Sequence, residues 1–282
     1  MRIIGVVANR QKDNDYVHTK MIIEKLQDKG FETVVPRDVY GGIDMPVRVS
    51  DSIYEEADFI ICIGGDGTFL KVARQAYVFQ KPVLGINKGT VGFLAEVEIN
   101  DIDEAIDRLS GGNYRIEPRM VLTARVFRGG EKVYEDIAIN DVVVSRASLS
   151  RIVNLEVSFD DQYVDSFPGD GIIVSTPTGS TGYTLSAGGP IIQPDMRLMI
   201  ISPICPHSLY SRSFIASETR TVKITISHKG ELSAMLTLDG QEGFRLSLGD
   251  EVCVGTAEKD VLFASVTGHN FYDLLRTKIR TR

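Results

Sequence analysis

Asp66 lies within Gly64-Gly65-Asp66-Gly67-Thr68, directly behind the apolar run Phe59–Ile63 and ahead of a helical-looking stretch, 69–77. A turn between a buried strand and a helix gathers backbone N–H groups that point one way, and such a cluster attracts anions, phosphate above all. Three glycines in four positions mark backbone that takes φ > 0 or approaches something closely. Asp66 breaks the pattern, because a carboxylate repels phosphate. Its type fits a base or a metal ligand beside a reacting phosphoryl group. The plain alternative is an Asx-type turn. Glycine on both sides, directly behind a strand, weighs toward chemistry.

A second candidate stretch is GDGIIVSTPTGSTGYTLSAGGPI, residues 169–191. Ser175, Thr176, Thr178, Ser180, Thr181 and Ser186 give it neutral donors and acceptors suited to a polar ligand. Apolar residues 172–174 and Leu185 argue against a simple solvated loop. A nucleophilic serine ranks low, since no G-x-S-x-G elbow is present. Of the 26 glycines, six fall in 64–92 and six in 169–189. That clustering predicts two places where backbone meets a ligand.

The elements around these residues follow from periodicity. Ile3–Ala8, 31–35, Phe59–Ile63 and 82–87 read as strands, and 16–29 and 100–109 as helices. The next helix is expected to start near Thr68. Alternating strands and helices imply a Rossmann-like parallel sheet with helices on its faces. Beyond about residue 112 the pattern is short strands punctuated by turns at Gly129-Gly130 and Asp160-Asp161, and long helices are absent. Residues 271–279 read as a final amphipathic helix. The expected division is an α/β nucleotide-binding domain over 1–112, a mostly β domain over 113–266, and a C-terminal helix over 267–282 that could pack back on the first domain.

Composition narrows the class. A chain of 282 residues, 43% hydrophobic and 24% charged, is ordinary for a globular protein, with room for one large domain or two. The net charge of −7 (31 minus 38) argues against a nucleic-acid partner. Three widely spaced cysteines suggest a reducing compartment. No signal-peptide pattern and no membrane-length apolar stretch is seen, so a cytoplasmic location without membrane contact is expected.

Taken together, these stretches resemble the NAD kinase family. Residues 64–68 are similar to its first motif, 87–94 to its N-x-G-x-x-G-F-L element, and Asn140-Asp141 to its Asn-acidic pair. Asp170 and 175–191 resemble its hydroxyl- and glycine-rich motif, and 203–212 and Asp239-Gly240-Gln241 resemble two later elements. Gly182 stands where the family usually has Ala, and Asp141 where Glu is common. The first departure loosens the pocket slightly, and the second shortens the carboxylate reach by one methylene.

The resemblance implies transfer of a phosphoryl group from ATP or polyphosphate to the 2′-hydroxyl of the adenosine ribose of NAD, giving NADP. It implies that Gly64, Gly65, Gly67 and Thr68 hold donor phosphates, and that Asp66 bonds the 2′-hydroxyl and takes its proton. Gly67, Phe93, Asn140 and Asp141 would contact NAD, as would Asp170, Thr181, Gly182, Tyr183 and Ser186. A divalent cation, Mg²⁺, would bridge donor phosphates with few ligands from the chain. A homodimer or homotetramer is the assembly implied. Two rivals remain: a lipid kinase sharing the first motif, and a non-catalytic NAD(P)-sensing module. The net charge and the lack of a basic amphipathic helix weigh against the former, and the presence of Asp66 against the latter.

Overall fold

The structure, a computed structural model, describes residues 2–89, 92–147, 152–160, 162–208, 211–226, 234–241, 243–268 and 270–280. Thr90 and Val91 of the 87–94 stretch, Leu209 and Tyr210 of 203–212, and Asp161 of the 160–161 turn lie outside the described residues. Two compact units form, Met1–Pro118 with Val261–Arg282, and Arg119–Asp260.

Every residue of Phe59–Ile63 is buried, as are the first four of Val83–Asn87. Strands apolar along their whole length must be covered on both faces, which places them in the middle of a parallel sheet. The sheet runs Arg48–Val49, Glu32–Val35, Ile3–Ala8, Phe59–Ile63, Val83–Asn87, Val261–Ser265, Arg115–Arg119, with Val97–Glu98 also paired to Val83–Asn87. The pairings from Arg48–Val49 through Val261–Ser265 are parallel. Strand order reverses between Ile3–Ala8 and Phe59–Ile63, and at such a reversal the loops at the carboxyl ends diverge and leave a crevice. Asn9 and Gly64 both emerge there.

The helix Asp66–Val78 turns Phe69, Leu70, Val72, Ala73 and Ala76 inward. Phe69 meets Phe263 edge to face, with ring centres 4.8 Å apart. The helix Val17–Asp28 buries Ile22, Ile23 and Leu26. The buried Asp13 carboxylate accepts the His18 and Thr19 amides and the Thr19 hydroxyl, satisfying donors left over in the first turn of that helix.

Arg115–Arg119 and Val261–Ser265 lie in this first sheet, whereas a break after 112 with 261–266 in the second domain is what the strand pattern predicts. Alternation identifies a strand but not the sheet that receives it. The carboxylate of Glu96 holds the returning chain in place, accepting the amides of Val266 and Thr267 and the hydroxyls of Ser265 and Thr267. The helix Phe271–Arg280 belongs with this unit.

Among the described residues, the second unit has two six-stranded sheets. One is ordered Phe214–Ser217, Leu198–Ile204, Gly171–Ser175, Asp141–Arg146, Ala234–Leu238, Phe244–Leu246; the other is Gln162–Gly169, Val153–Phe159, Val222–Ile226, Glu251–Thr256, Leu122–Arg128, Glu131–Ala138. Their pairings are antiparallel. Side chains alternate between faces along a strand. Val142, Val144, Ile172 and Val174 therefore enter one core together with Leu122, Val126, Leu155 and Val157 of the other sheet. Val143 and Ile173 point the opposite way and pack with Ile204.

Candidate active site

In the first unit the helix begins at Asp66, two residues ahead of the expected start, with Gly65 as its N-cap. Asp66 is therefore a first-turn carboxylate, a position the positive end of the helix favours. None of Gly64, Gly65 and Gly67 has positive φ. Gly64 is glycine because the Thr68 side chain occupies its Cβ space, 2.7 Å away. At Gly65 and Gly67 a Cβ would meet nothing within 4 Å. Their bareness leaves the backbone approachable.

The amides divide into two groups. Gly64 N–H donates to the Ile86 carbonyl at 2.9 Å and Thr68 N–H to the Gly65 carbonyl at 2.9 Å, so both are engaged within the chain. Among the described residues, the amides of Gly65, Asp66 and Gly67 donate to no protein acceptor. The bare amide cluster is thus centred on Gly65–Gly67, not spread over 64–68. Thr68 faces it through its hydroxyl, which accepts the Asn9 carboxamide at 2.9 Å and keeps its own proton for another partner.

Asp66 reaches a second loop. Its carboxylate accepts the amides of Phe93 at 3.1 Å, Leu94 at 3.3 Å and Ala95 at 3.2 Å. Gly92 lies so close that a Cβ there would sit 1.9 Å from Asp66 Oδ1. Phe93, expected as an apolar wall, contributes its backbone N–H to Asp66, and its side chain is half-buried.

The second unit gathers most of the remaining candidates at one end of the strand pair Asp141–Arg146 and Gly171–Ser175, where Asp141 lies opposite Ser175. The Ser175 hydroxyl donates to the Asn140 carbonyl at 3.1 Å, and the Thr176 hydroxyl to the Ile139 carbonyl at 2.7 Å. Gly179 approaches Asn140 so closely that a Cβ would be 2.2 Å from its carbonyl oxygen. A Cβ on Gly182 would stand 3.7 Å from the Asn140 carboxamide nitrogen and 3.9 Å from Asp141 Oδ2. Asn140, Asp141 and Gly182 therefore share one small space. Among the described residues, Asn140 Oδ1, Thr178 Oγ1 and Thr184 Oγ1 are buried without a protein partner.

Asp141 is buried, and that burial, with the nearby Asp239 charge, pushes its carboxyl up to about 7. Tyr183 is half-exposed at the start of the short helix Tyr183–Ser186. Burial raises its phenol, helped by the charges of Cys205, Asp170 and Asp141. Asp170 lies beyond the far end of Gly171–Ser175 and is paired with Arg146 at 2.8 Å. The Thr181 hydroxyl turns back to the Thr178 carbonyl at 3.4 Å. Ser186 is exposed at the end of its helix.

Two residues outside the expected set bond to its members. Asn9 bonds Thr68, and the only advance signal was its place at the carboxyl end of the first strand. The Asp239 carboxylate accepts three successive amides, Ile139, Asn140 and Asp141. The Asp-Gly dipeptide announces a turn there, not its partner a hundred residues away.

Residues 4–114 match the ATP-NAD kinase N-terminal domain, and residues 139–266 the ATP-NAD kinase C-terminal domain. An NAD kinase of Acetivibrio thermocellus is 42% identical over 282 residues, covering 99% of this chain and 97% of that one. An NAD kinase of Ruminiclostridium cellulolyticum is 41% identical over 285 residues, covering 100% and 99%. The crystal structure of yeast NADH kinase complexed with NADH aligns with a TM-score of 0.90 at 22% identity, covering 100% of this chain and 89% of that one. An Archaeoglobus fulgidus NAD kinase in complex with ATP aligns at 0.79 and 24% identity, covering 99% of each. At those identities the two structures speak to the fold. With both domains matched and about two residues in five shared with full-length relatives, this chain belongs to the NAD kinase family.

Proposed function

We propose that this chain transfers the terminal phosphoryl group of ATP, or of polyphosphate, to the 2′-hydroxyl of the adenosine ribose of NAD, forming NADP. The observation that carries the reading is the Asp66 carboxylate, set at a helix start beside the unengaged amides of Gly65–Gly67. An ionised carboxylate offers about four acceptor positions. Three of them are taken by Phe93, Leu94 and Ala95, which leaves one for a hydroxyl. Asp66 would accept the 2′-hydroxyl proton as the oxygen bonds to the transferred phosphorus and the bond to the leaving phosphate oxygen breaks. The three amides hold the carboxylate still, so orientation is fixed before the substrate arrives.

The Gly65–Gly67 amides and the Thr68 hydroxyl would hold donor phosphates, where fixed dipoles offset the charge of a loose transition state. Asn140, Asp141, Asp170 and Tyr183 would hold the dinucleotide, with Gly182, Thr181 and Ser186 along its path. Among the described residues no group of three or more His, Cys, Asp or Glu converges on one point. Mg²⁺ would be held mainly by phosphate oxygens of the donor and water. When bound, the ion would neutralise charge on the donor.

None of the described helices is long and apolar enough to cross a membrane. Free Cys62, Cys205 and Cys253 accord with a cytoplasmic, reducing setting. A homodimer or homotetramer is proposed from the family alone, and sedimentation velocity reads it directly.

The test is NADP formation from NAD, ATP and Mg²⁺, read with an NADP-specific dehydrogenase, with Asp66→Asn in parallel. Activity in the wild type that is lost in the variant supports reaction and residue together. Silence with ATP but activity with polyphosphate changes the donor. Silence with every donor, while NAD still binds, overturns the catalytic reading in favour of a sensing module.

A further inference from the structure

Asp239 has no place in the reaction as described, yet its carboxylate is among the most heavily engaged in the second unit. It accepts the amide of Asn140 at 2.7 Å, of Ile139 at 2.9 Å and of Asp141 at 3.2 Å. Its own amide donates to the Asp141 carbonyl at 3.0 Å, so the two segments clasp each other. Asp239 and Gly240 both have left-handed backbone, φ +52° and +66°. That conformation is uncommon for a residue with a side chain and tolerated best by Asp and Asn. The chain bends there, straight after the strand Ala234–Leu238, and the bend sets the carboxylate over the start of Asp141–Arg146.

Two properties of the clasped segment face outward from it. Asn140 Oδ1 is buried without a protein partner. A buried acceptor left unmade costs free energy unless a ligand completes it. Among the described residues, no cation offsets the charge of Asp141. The groups that face it are Asp239, from the turn after Ala234–Leu238, and Tyr183, from the helix Tyr183–Ser186.

We propose that Asp239 is a positioning residue for the dinucleotide: by gripping the 139–141 amides it aims the Asn140 carboxamide and the Asp141 carboxyl at the acceptor substrate, without touching it. The inference rests on the reading of Asn140 and Asp141 as dinucleotide contacts. Burial and the Asp239 charge keep a proton on Asp141 toward neutral pH. In that form the carboxyl can donate a hydrogen bond to a hydroxyl of the dinucleotide and carries no negative charge.

The experiment is calorimetric titration of NAD, without any phosphoryl donor, into the wild type and Asp239→Asn between pH 5.5 and 8.5, alongside steady-state kinetics. Wild-type affinity for NAD is expected to fall as pH rises through about 7, the value to which Asp141 is pushed. In Asp239→Asn an –NH₂ replaces one acceptor and the charge is gone. Affinity for NAD should drop about tenfold or more at neutral pH, the loss expected from charge-assisted bonds. Its fall with pH should begin at lower pH, while KM for ATP stays unchanged. A purely structural role would lower the melting temperature without moving the pH profile or splitting the two KM values, and that result overturns the proposal. So does wild-type NAD affinity in the variant. If Asp239→Asn does not fold, Asp239→Glu keeps the charge but displaces the grip by a methylene. It should retain the pH profile and lose affinity, and unchanged affinity overturns the proposal. Failure of the wild type to bind NAD at all would instead sink the function on which this inference stands.

Discussion

The Asn9 carboxamide donates to the Thr68 hydroxyl at 2.9 Å, joining the loops that leave two adjacent parallel strands. The bond spans the point where strand order reverses. Asn9 is held in turn by its own amide on the Ile63 carbonyl at 3.1 Å. The Thr68 hydroxyl, already an acceptor, must send its proton elsewhere.

Asn9→Ala should therefore weaken the donor phosphate site specifically. The expected effect is a rise of roughly three- to tenfold in KM for ATP, the size of one neutral hydrogen bond. Affinity for NAD should be unchanged. Initial-rate kinetics with each substrate varied in turn reads both.

Asp66→Asn should lower kcat by roughly 10²–10⁴, the usual worth of a general base. A second, smaller effect comes from the clasp on residues 93–95. An –NH₂ facing a backbone N–H loses at least one of those bonds and should cost about 1 kcal/mol of stability. Calorimetric unfolding should show a modest drop in Tm, too small to explain the loss of rate.

Three glycine substitutions should behave differently. In Gly92→Ala the new methyl would lie 1.9 Å from Asp66 Oδ1, so the carboxylate must leave its position and turnover should fall as far as in Asp66→Asn. In Gly179→Ala the methyl would lie 2.2 Å from the Asn140 carbonyl oxygen, and NAD binding should suffer instead. In Gly182→Ala the nearest atom is 3.3 Å away, so the substitution that restores the residue usual in the family should leave KM for NAD within about threefold of wild type. Parallel kinetics on the three variants separates these outcomes.

Asp141 should make the unliganded protein less stable as pH rises. The unfolded carboxyl loses its proton near 3.8, and the folded one, raised by burial and by Asp239, near about 7. Between those values the unfolded chain binds fewer protons than the folded, so stability falls with pH and then levels off. Asp141→Asn removes that cost. It should be more stable than the wild type, most above pH 7 and by up to roughly 4 kcal/mol, with a correspondingly higher Tm, and the gap should close toward pH 4. Scanning calorimetry at pH 4, 6 and 8 measures the trend.

Much of this was written in local pattern. Phe59–Ile63 announces itself as a doubly covered strand, and the glycines behind it as a turn into a helix. The hydroxyl-rich stretch around Thr178–Thr181 signalled a second polar site, and the family resemblance followed from both. The glycine windows were only partly ligand signals. Gly64, Gly92 and Gly179 are bare because Thr68, Asp66 and Asn140 occupy the space a side chain would need. Gly65 and Gly67 alone in the first motif leave open backbone. What stayed hidden was every bond made across long separations. Asp66 finds Phe93–Ala95 and Asp239 finds Ile139–Asp141 because tertiary structure brings distant turns together, and neither carries a periodicity of its own. The strand Val261–Ser265 was visible as a strand, and its sheet was not.

That last strand has a consequence for how the molecule is made. It pairs in parallel with Val83–Asn87 inside the first sheet, yet it is synthesised after residues 119–260. A chain emerging from the ribosome can close its second unit, which is continuous in sequence, before its first. Until Val261–Ser265 arrives, only the Ile86–Asn87 end of that edge of Val83–Asn87 is covered, by Val97–Glu98, and the open Val83 end can pair with other chains. Phe69 likewise waits for Phe263 to complete its contact. Premature termination near residue 260 would leave a complete second unit joined to a first unit prone to aggregate.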